Sequence, residues 1–252
     1  MKRVILRLNR KACRAGQPAW KLPTLMSQTW TCRTIGALGF VFPVVVVISG
    51  FIIYGSVKDS LSDYYGSGSR DVFVIMMLLV AWFLIRYRGY DIMDNLAGKL
   101  AGTFALGVVF FPNNSGDWRE VVHFVSATGL FLMFSFFCLF IFTKTEKSRP
   151  NHLRQTLASF RFCTIKSNIP EMRLKMRRNK IYVTCGLVIL LGIVLVPIYN
   201  LFLQQTVISV VKPTLSLEWL MIWAFGLAGL VKGETIWSDR RIPVEPYRLS
   251  MK

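Results

Sequence analysis

The 252-residue chain is 53% hydrophobic and only 17% charged, where a soluble domain usually carries about 25% charged residues. Its mean hydropathy is +0.45, and the apolar residues gather into runs near the ~20 residues that match a bilayer's hydrocarbon thickness, which excludes an ordinary soluble globular domain. The net charge of +18 raises nucleic acid as a partner, but the sequence has no zinc-finger spacing, no recognisable nucleic-acid-binding motif and no soluble domain to carry one, so no nucleic acid is expected.

Residues 1–33 are basic and irregular, with no acid. They lack the compact apolar core and small-residue cleavage site of a signal peptide and read as a cytoplasmic tail. The transmembrane domain is expected over 34–235. Its first span is Thr34–Tyr54, with a kink expected at Pro43, which neighbouring helices or water can accommodate. A short polar loop, Gly55–Arg70, follows. The second span is Asp71–Ile85, closed by Trp82 and Arg86, and the third is Asn95–Phe111, stopped by Pro112. The apolar stretch Val72–Ile85 reaches only about 21 Å at ~1.5 Å per residue. It crosses if the helix extends into both interfaces with Arg86 and Arg88 snorkelling; the alternative for this pair is a re-entrant hairpin. The fourth span is Val121–Phe142, the fifth Ile181–Leu203 and the sixth Leu215–Val231, with one long loop, 143–180, between the fourth and fifth and a C-terminal tail at 236–252. The expected fold is an all-α membrane protein, a polytopic bundle of about six transmembrane helices.

Charge sets the orientation. With the N-terminus inside, 27 of the 31 Lys/Arg fall on the inner side and only Lys58, Arg70, Arg119 and Lys212 outside. The positive-inside rule then places both termini in the cytoplasm. Cysteine agrees: Cys13 and Cys163 fall in cytoplasmic segments and Cys32, Cys138 and Cys185 at the inner edge or half of spans, away from an oxidising compartment, so no disulfide is expected.

Two polar clusters stand out. On the outer face, Ser60, Ser62, Asp63, Tyr64 and Tyr65 precede Arg70 and Asp71, which open span two; His123 and Ser126 open span four and Glu218 opens span six. Helix dipoles explain Asp71, Glu120 and Glu218, and an interfacial aromatic belt explains Tyr64, Tyr65, Trp118 and Trp219. The sharper reading has Asp71 and His123 meeting between helices at the bilayer edge, where ionisable groups are costly and often functional. The inner face carries Arg86-Tyr-Arg-Gly-Tyr-Asp91 with Arg88, Asp94 and Asn95, read as a charged turn whose acids pair with Arg86 or Arg88; Lys232-Gly-Glu234, which closes span six on the same side, is placed to join it. Gly98 and Gly102 give span three a small-residue face for close packing within the bundle, with Lys99 snorkelling beside it. Leu153, Leu157 and Phe160 lie at helical spacing among Arg154 and Arg161, a pattern for a basic amphipathic helix on the inner leaflet.

No complete catalytic or nucleotide-binding motif is present. His123 and His152 fall on opposite sides of the membrane and cannot share one metal, so no metal and no cofactor is expected. Three functional classes remain. The first is a non-enzymatic protein that binds a lipid or amphiphile, or modulates a membrane partner, through the outer cluster. The second is an intramembrane lipid hydrolase using Ser60 or Ser62, Asp71 and His123, although no G-x-S-x-G elbow is present. The third is a small transporter or channel, against which the charge-free middles of the spans count. The expected partners are membrane lipids, including anionic inner-leaflet lipids at loop 143–180; the sequence names no protein partner.

Several stretches taken together resemble an uncharacterised family of bacterial six-span integral-membrane proteins. They are Ser60-Leu-Ser-Asp-Tyr-Tyr65, Arg70-Asp-Val-Phe-Val74, Tyr87-Arg-Gly-Tyr-Asp91 with Asp94-Asn95 and Ala97-Gly98, Phe104-Ala-Leu-Gly107 with Phe111-Pro112, His123-Phe-Val-Ser-Ala127, Phe142-Thr-Lys144, Ile181-Tyr182 with Cys185-Gly186, Trp223-Ala-Phe-Gly226 and Val231-Lys-Gly-Glu234. The resemblance covers about residues 34–235 and implies six spans in the bacterial inner membrane. It brings no reaction with it.

Overall fold

A computed structural model describes residues 28–89, 91–144, 170–203 and 212–236. The greater part of both expected tails, the surface helix expected around Leu153, Leu157 and Phe160 with Arg154 and Arg161, and also Cys13, His152 and Cys163, lie outside the described residues.

The described residues form six long helices and no strand: α1 (Gln28–Tyr54), α2 (Arg70–Arg86), α3 (Ile92–Phe110), α4 (Trp118–Phe136), α5 (Pro170–Ile198) and α6 (Pro213–Lys232). The chain is an all-α membrane bundle. Each apolar run becomes one helix, and the helices overrun the expected spans into their polar flanks. α1 passes through Pro43 without a break. α4 and α5 each end in a π-turn, Phe137–Ile141 and Tyr199–Leu203. In the first, Phe142 N–H donates to the carbonyl of Phe137, five residues back, the wider winding that gives a π-turn.

Five of these helices are long and apolar enough to cross a membrane. The sixth, α2, has 17 residues, about 25 Å at ~1.5 Å per residue. It nonetheless joins the same two ends of the bundle as the others. Its first turn follows the loop that bonds α6 through Leu61 and Glu218. The turn after it, toward α3, meets Lys144 at the end of α4. α2 and α3 therefore make full traverses of the bundle, not a re-entrant hairpin.

Each described helix packs on its sequence neighbours, and α6 returns to α1, so the chain closes into a ring. Glycine makes the closing contact possible. Gly36 and Gly39 of α1 face Gly226 and Gly229 of α6; a Cβ on Gly36 would stand 2.7 Å from the backbone N of Leu230, and one on Gly39 3.0 Å from the Cα of Gly226. Without a driving force from water, such close backbone approach is what holds helices together in lipid. Gly98 and Gly102 do the same for α3 on α2, facing the carbonyls of Leu84 and Ala81, so this face packs within the chain. Inside the ring Phe134 stacks on Phe225 at 3.8 Å between centroids, while Ile52, Trp82 and Phe110 point outward, 60–76% exposed, as side chains facing lipid do.

Candidate functional site

The two ends of the ring carry the two polar clusters. The Ser60 end is built by the loops. After α1 the chain folds inward as a 3-10 turn, Ser62–Gly66. Tyr64 is fully buried: its ring wedges against Gly50, where no side chain would fit, and its hydroxyl accepts from Lys58 N–H at 3.2 Å. Tyr65 is also buried, edge-on to both Phe73 and His123. Neither tyrosine belongs to an interfacial belt, because the turn rolls both into the core; Trp118, in contrast, is exposed.

Around this turn the polar groups interlock. Ser60 and Ser62 hydroxyls lie 2.7 Å apart. Asn113 donates to Ser62 Oγ at 3.3 Å and to Asp63 Oδ1 at 2.9 Å. Glu218 Oε2 accepts from Leu61 N–H at 2.6 Å, tying α6 to the turn. Half-burial pushes the Asp63 carboxyl above the usual range, opposed by the bonds from Asn113 and Ser60 and assisted by the nearby Asp59 carboxylate. Arg70 donates to the Tyr65 hydroxyl at 3.3 Å and lies over its ring.

His123 is the centre of the arrangement. It is fully buried, and Nδ1 lies 2.7 Å from the carbonyl oxygen of Phe111. A carbonyl only accepts, so Nδ1 carries the proton and in the neutral ring Nε2 presents its lone pair. Among the described residues Nε2 is buried with no hydrogen-bond partner, as is Oδ1 of Asn113. Buried polar atoms without partners are rare and mark a place worth explaining.

Beneath this end lies a cavity of about 670 Å³, open space at its mouth included. Ser62, His123 and Glu218 line it at the polar end. Below them the wall is apolar: Phe42 of α1, Met77 of α2, Val108 of α3, Leu130 and Phe134 of α4 and Phe225 of α6 all contribute. From His123 to Phe134 the lining descends about 16 Å along α4 at ~1.5 Å per residue. A deep apolar space capped by a few polar groups is the usual form of a ligand site.

Three sequence expectations change here. Asp71 does not meet His123. It stands two residues before Phe73 on a helix whose inward face is Phe73, Met77, Val80 and Leu84, and about 200° of helical turn puts it outside; it is exposed and bonds nothing among the described residues. Asp63 takes its place as the acid of the cluster. Ser126 is buried but packs on Gly107, where a Cβ would stand 2.3 Å from its Oγ, and does not line the cavity. Glu218 does more than complement a helix dipole: it is a cavity-lining carboxylate with a specific donor. Asn113 was not singled out by sequence; the one signal was its place just after Pro112, in the loop that faces Ser60.

The Asp94 end differs. Asp94 is 1% exposed and pairs with Lys144 Nζ at 2.5 Å; Lys144 also reaches Asp91 at 3.5 Å. Lys232 Nζ donates to the carbonyls of Phe142 and Lys144 at 3.0 and 3.1 Å. Asp91 and Asp94 form the capping box of α3, and Asn95 Oδ1 accepts from Gly89 N–H at 3.0 Å. The acids thus pair with Lys144 and not with Arg86 or Arg88, both exposed. Those arginines sit at the tip of the α2–α3 turn, where their long side chains reach outward, while Lys144 enters from α4 across the bundle. From α6 it is Lys232, not Glu234, that joins: Glu234 takes a left-handed backbone at φ 55°, and its carboxylate has no bond among the described residues.

Among the described residues no group of His, Cys, Asp and Glu is placed to hold a metal ion. Cys32, Cys138 and Cys185 are buried and free. No protein-family model, no curated protein and no solved structure matches the chain.

Proposed function

We propose that the protein holds a membrane lipid or small amphiphile in the ring cavity, with the ligand's polar end at Ser62, His123 and Glu218 and its apolar part between the helices. In this proposal the chain sits in a bacterial inner membrane with both termini cytoplasmic and the Ser60 end outward, as the Lys/Arg asymmetry favours. The six-span family resemblance belongs to the same proposal, as does contact of loop 143–180 with anionic inner-leaflet lipids.

The observation that carries it is the joining of an apolar cavity to a buried polar end whose Nε2 has no partner among the described residues. The hydrolase reading draws on Ser62 and His123 sharing one wall. Nucleophilic catalysis needs a serine–base contact within hydrogen-bond reach. Among the described residues both serines bond each other and the loop instead, and Asp63 bonds Asn113 and not the imidazole.

The test is native mass spectrometry of gently purified protein with lipid extraction of the same sample. The expected result is one retained lipid species, lost in Ala127→Trp, which fills the cavity, and kept in Val121→Trp on the exposed side of the same helix. Bare wild-type protein, or equal retention by Ala127→Trp, overturns the proposal.

A further inference from the structure

We infer that the cavity selects an uncharged amphiphile whose head carries hydroxyl donors, of the monoacylglycerol or long-chain alcohol class, and discriminates against fatty acids and phosphate-headed lipids. This rests on the cavity being a lipid site; it adds which head the polar end accepts.

The head is specified by what the polar end offers. Its cavity-lining groups present acceptors. His123 Nε2 presents a lone pair, because Nδ1 is committed to the Phe111 carbonyl at 2.7 Å. Glu218 has one oxygen accepting from Leu61 N–H at 2.6 Å. Of the hydroxyls, the Ser60–Ser62 pair uses one O–H between its own oxygens at 2.7 Å. Buried acceptors are relieved by a ligand that brings donors.

Charge makes the same selection. Among the described residues no Lys or Arg lines the cavity. The cations of this end are engaged elsewhere: Lys58 lies over the Tyr54 ring, Arg70 over Tyr65, Arg119 beside Asp117, and Lys212 on Asp59 at 3.1 Å. An anionic head would be buried there with no counter-charge, and burying an unpaired charge is strongly disfavoured.

The experiment holds the tail fixed and varies the head. The full-length protein in a non-ionic detergent is offered 1-oleoylglycerol, oleate and 1-oleoyl-lysophosphatidate at equal concentration, at pH 7.5, and adducts are counted by native mass spectrometry. The expected result is a preference for 1-oleoylglycerol of about tenfold or more over either anion. His123→Phe should abolish most of that preference, and His123→Gln, which restores an acceptor, should keep part of it. Equal binding of all three, or preference for an anion, overturns the head selectivity while leaving the cavity as a lipid site. Equal adducts of all three that also persist in Ala127→Trp, or no adduct at all, overturn the cavity itself. The wild-type preference is read without any variant, so a poorly folding His123→Phe does not protect the inference.

Discussion

The two ends of the ring are built from similar side chains, yet one closes on itself and the other does not. At the Asp94 end the buried carboxylate uses both oxygens, Oδ1 on Lys144 at 2.5 Å and Oδ2 on Asp91 N–H at 3.4 Å, and Lys232 takes up the two carbonyls next to that lysine. This end ties α3, α4 and α6 together. At the Ser60 end, Ser69 Oγ, Asn113 Oδ1 and His123 Nε2 are buried without partners among the described residues, and a cavity begins directly below. The contrast separates two uses of buried polarity. A satisfied network specifies packing; an unsatisfied one beside a cavity holds chemistry in reserve for something that enters.

The sharpest way to break this comparison is Lys144→Ala. It removes Lys144 from the buried Asp94 carboxylate, and losing one partner of a buried pair costs about 3–5 kcal/mol. The loss should appear as a large fall in the unfolding midpoint in detergent, and Lys144→Met with Asp94→Leu should recover most of it. If Lys144→Ala is silent, the Asp94 end is no clamp. Next comes the ring closure itself. In Gly36→Ala the new Cβ meets backbone atoms, Leu230 N at 2.7 Å and Gly226 O at 2.8 Å, which cannot turn aside, and overpacking of this kind costs about 1–3 kcal/mol. Gly107→Ala should cost less, because its close neighbour is the Ser126 hydroxyl, and Ser126→Ala should relieve it. Smaller still in stability is His123→Phe. It exchanges one hydrogen bond, worth about 1 kcal/mol, for the removal of an unpartnered nitrogen. Its unfolding midpoint should stay close to wild type while ligand retention falls. A His123→Phe that unfolds as readily as Lys144→Ala would make the two ends alike and remove the contrast.

The helices were legible because their signal is local. Apolar runs between polar flanks locate each of them to within a few residues, except that α5 begins well before Ile181, and charge density separates the loops. The site was legible only in its ingredients. Ser60, Ser62, Asp63 and His123 were visible as polar residues at one face, but which acid approaches His123 depends on helical phase and on the fold of the Ser62–Gly66 turn. Two residues, from Asp71 to Phe73, decide that Asp71 faces out. Lys144 was hidden for a different reason: it partners Asp94 across 50 residues, and nothing in the local pattern of the α2–α3 turn prefers it to Arg86 or Arg88. The α1–α6 contact was not legible because its glycines recur at three-residue spacing, Gly36 with Gly39 and Gly226 with Gly229, and not at the four-residue spacing of the usual small-residue motif.

The finest distinction between a clamp and a site is how the Ser60 end responds to pH, and Asp63 tests it. Its carboxyl is raised above the ordinary range, first by burial, with Asp59 adding to the shift and the Asn113 and Ser60 bonds opposing it. A carboxyl raised in the fold binds its proton more tightly there than in the unfolded chain, whose Asp titrates near ~3.9. Its stabilising contribution is therefore complete below that value and is lost as pH rises through the raised one. Asp63 should make the protein more stable at pH 5 than at pH 7.5. Asp63→Asn keeps an oxygen to accept from Asn113 and removes the titration, so its unfolding midpoint should change less between those two pH values and equal or exceed wild type at pH 7.5. Asp117 supplies the opposite sign. The Ser115 hydroxyl and the Arg119 N–H hold its carboxyl below the usual range, so its contribution is present above the unfolded value and disappears as pH falls through the lowered one. Asp117→Asn should change only the response below about pH 4. If Asp63→Asn is as pH-sensitive as wild type across pH 5–7.5, Asp63 is not the strained acid of this end, and the polar turn is as settled as its counterpart around Asp94.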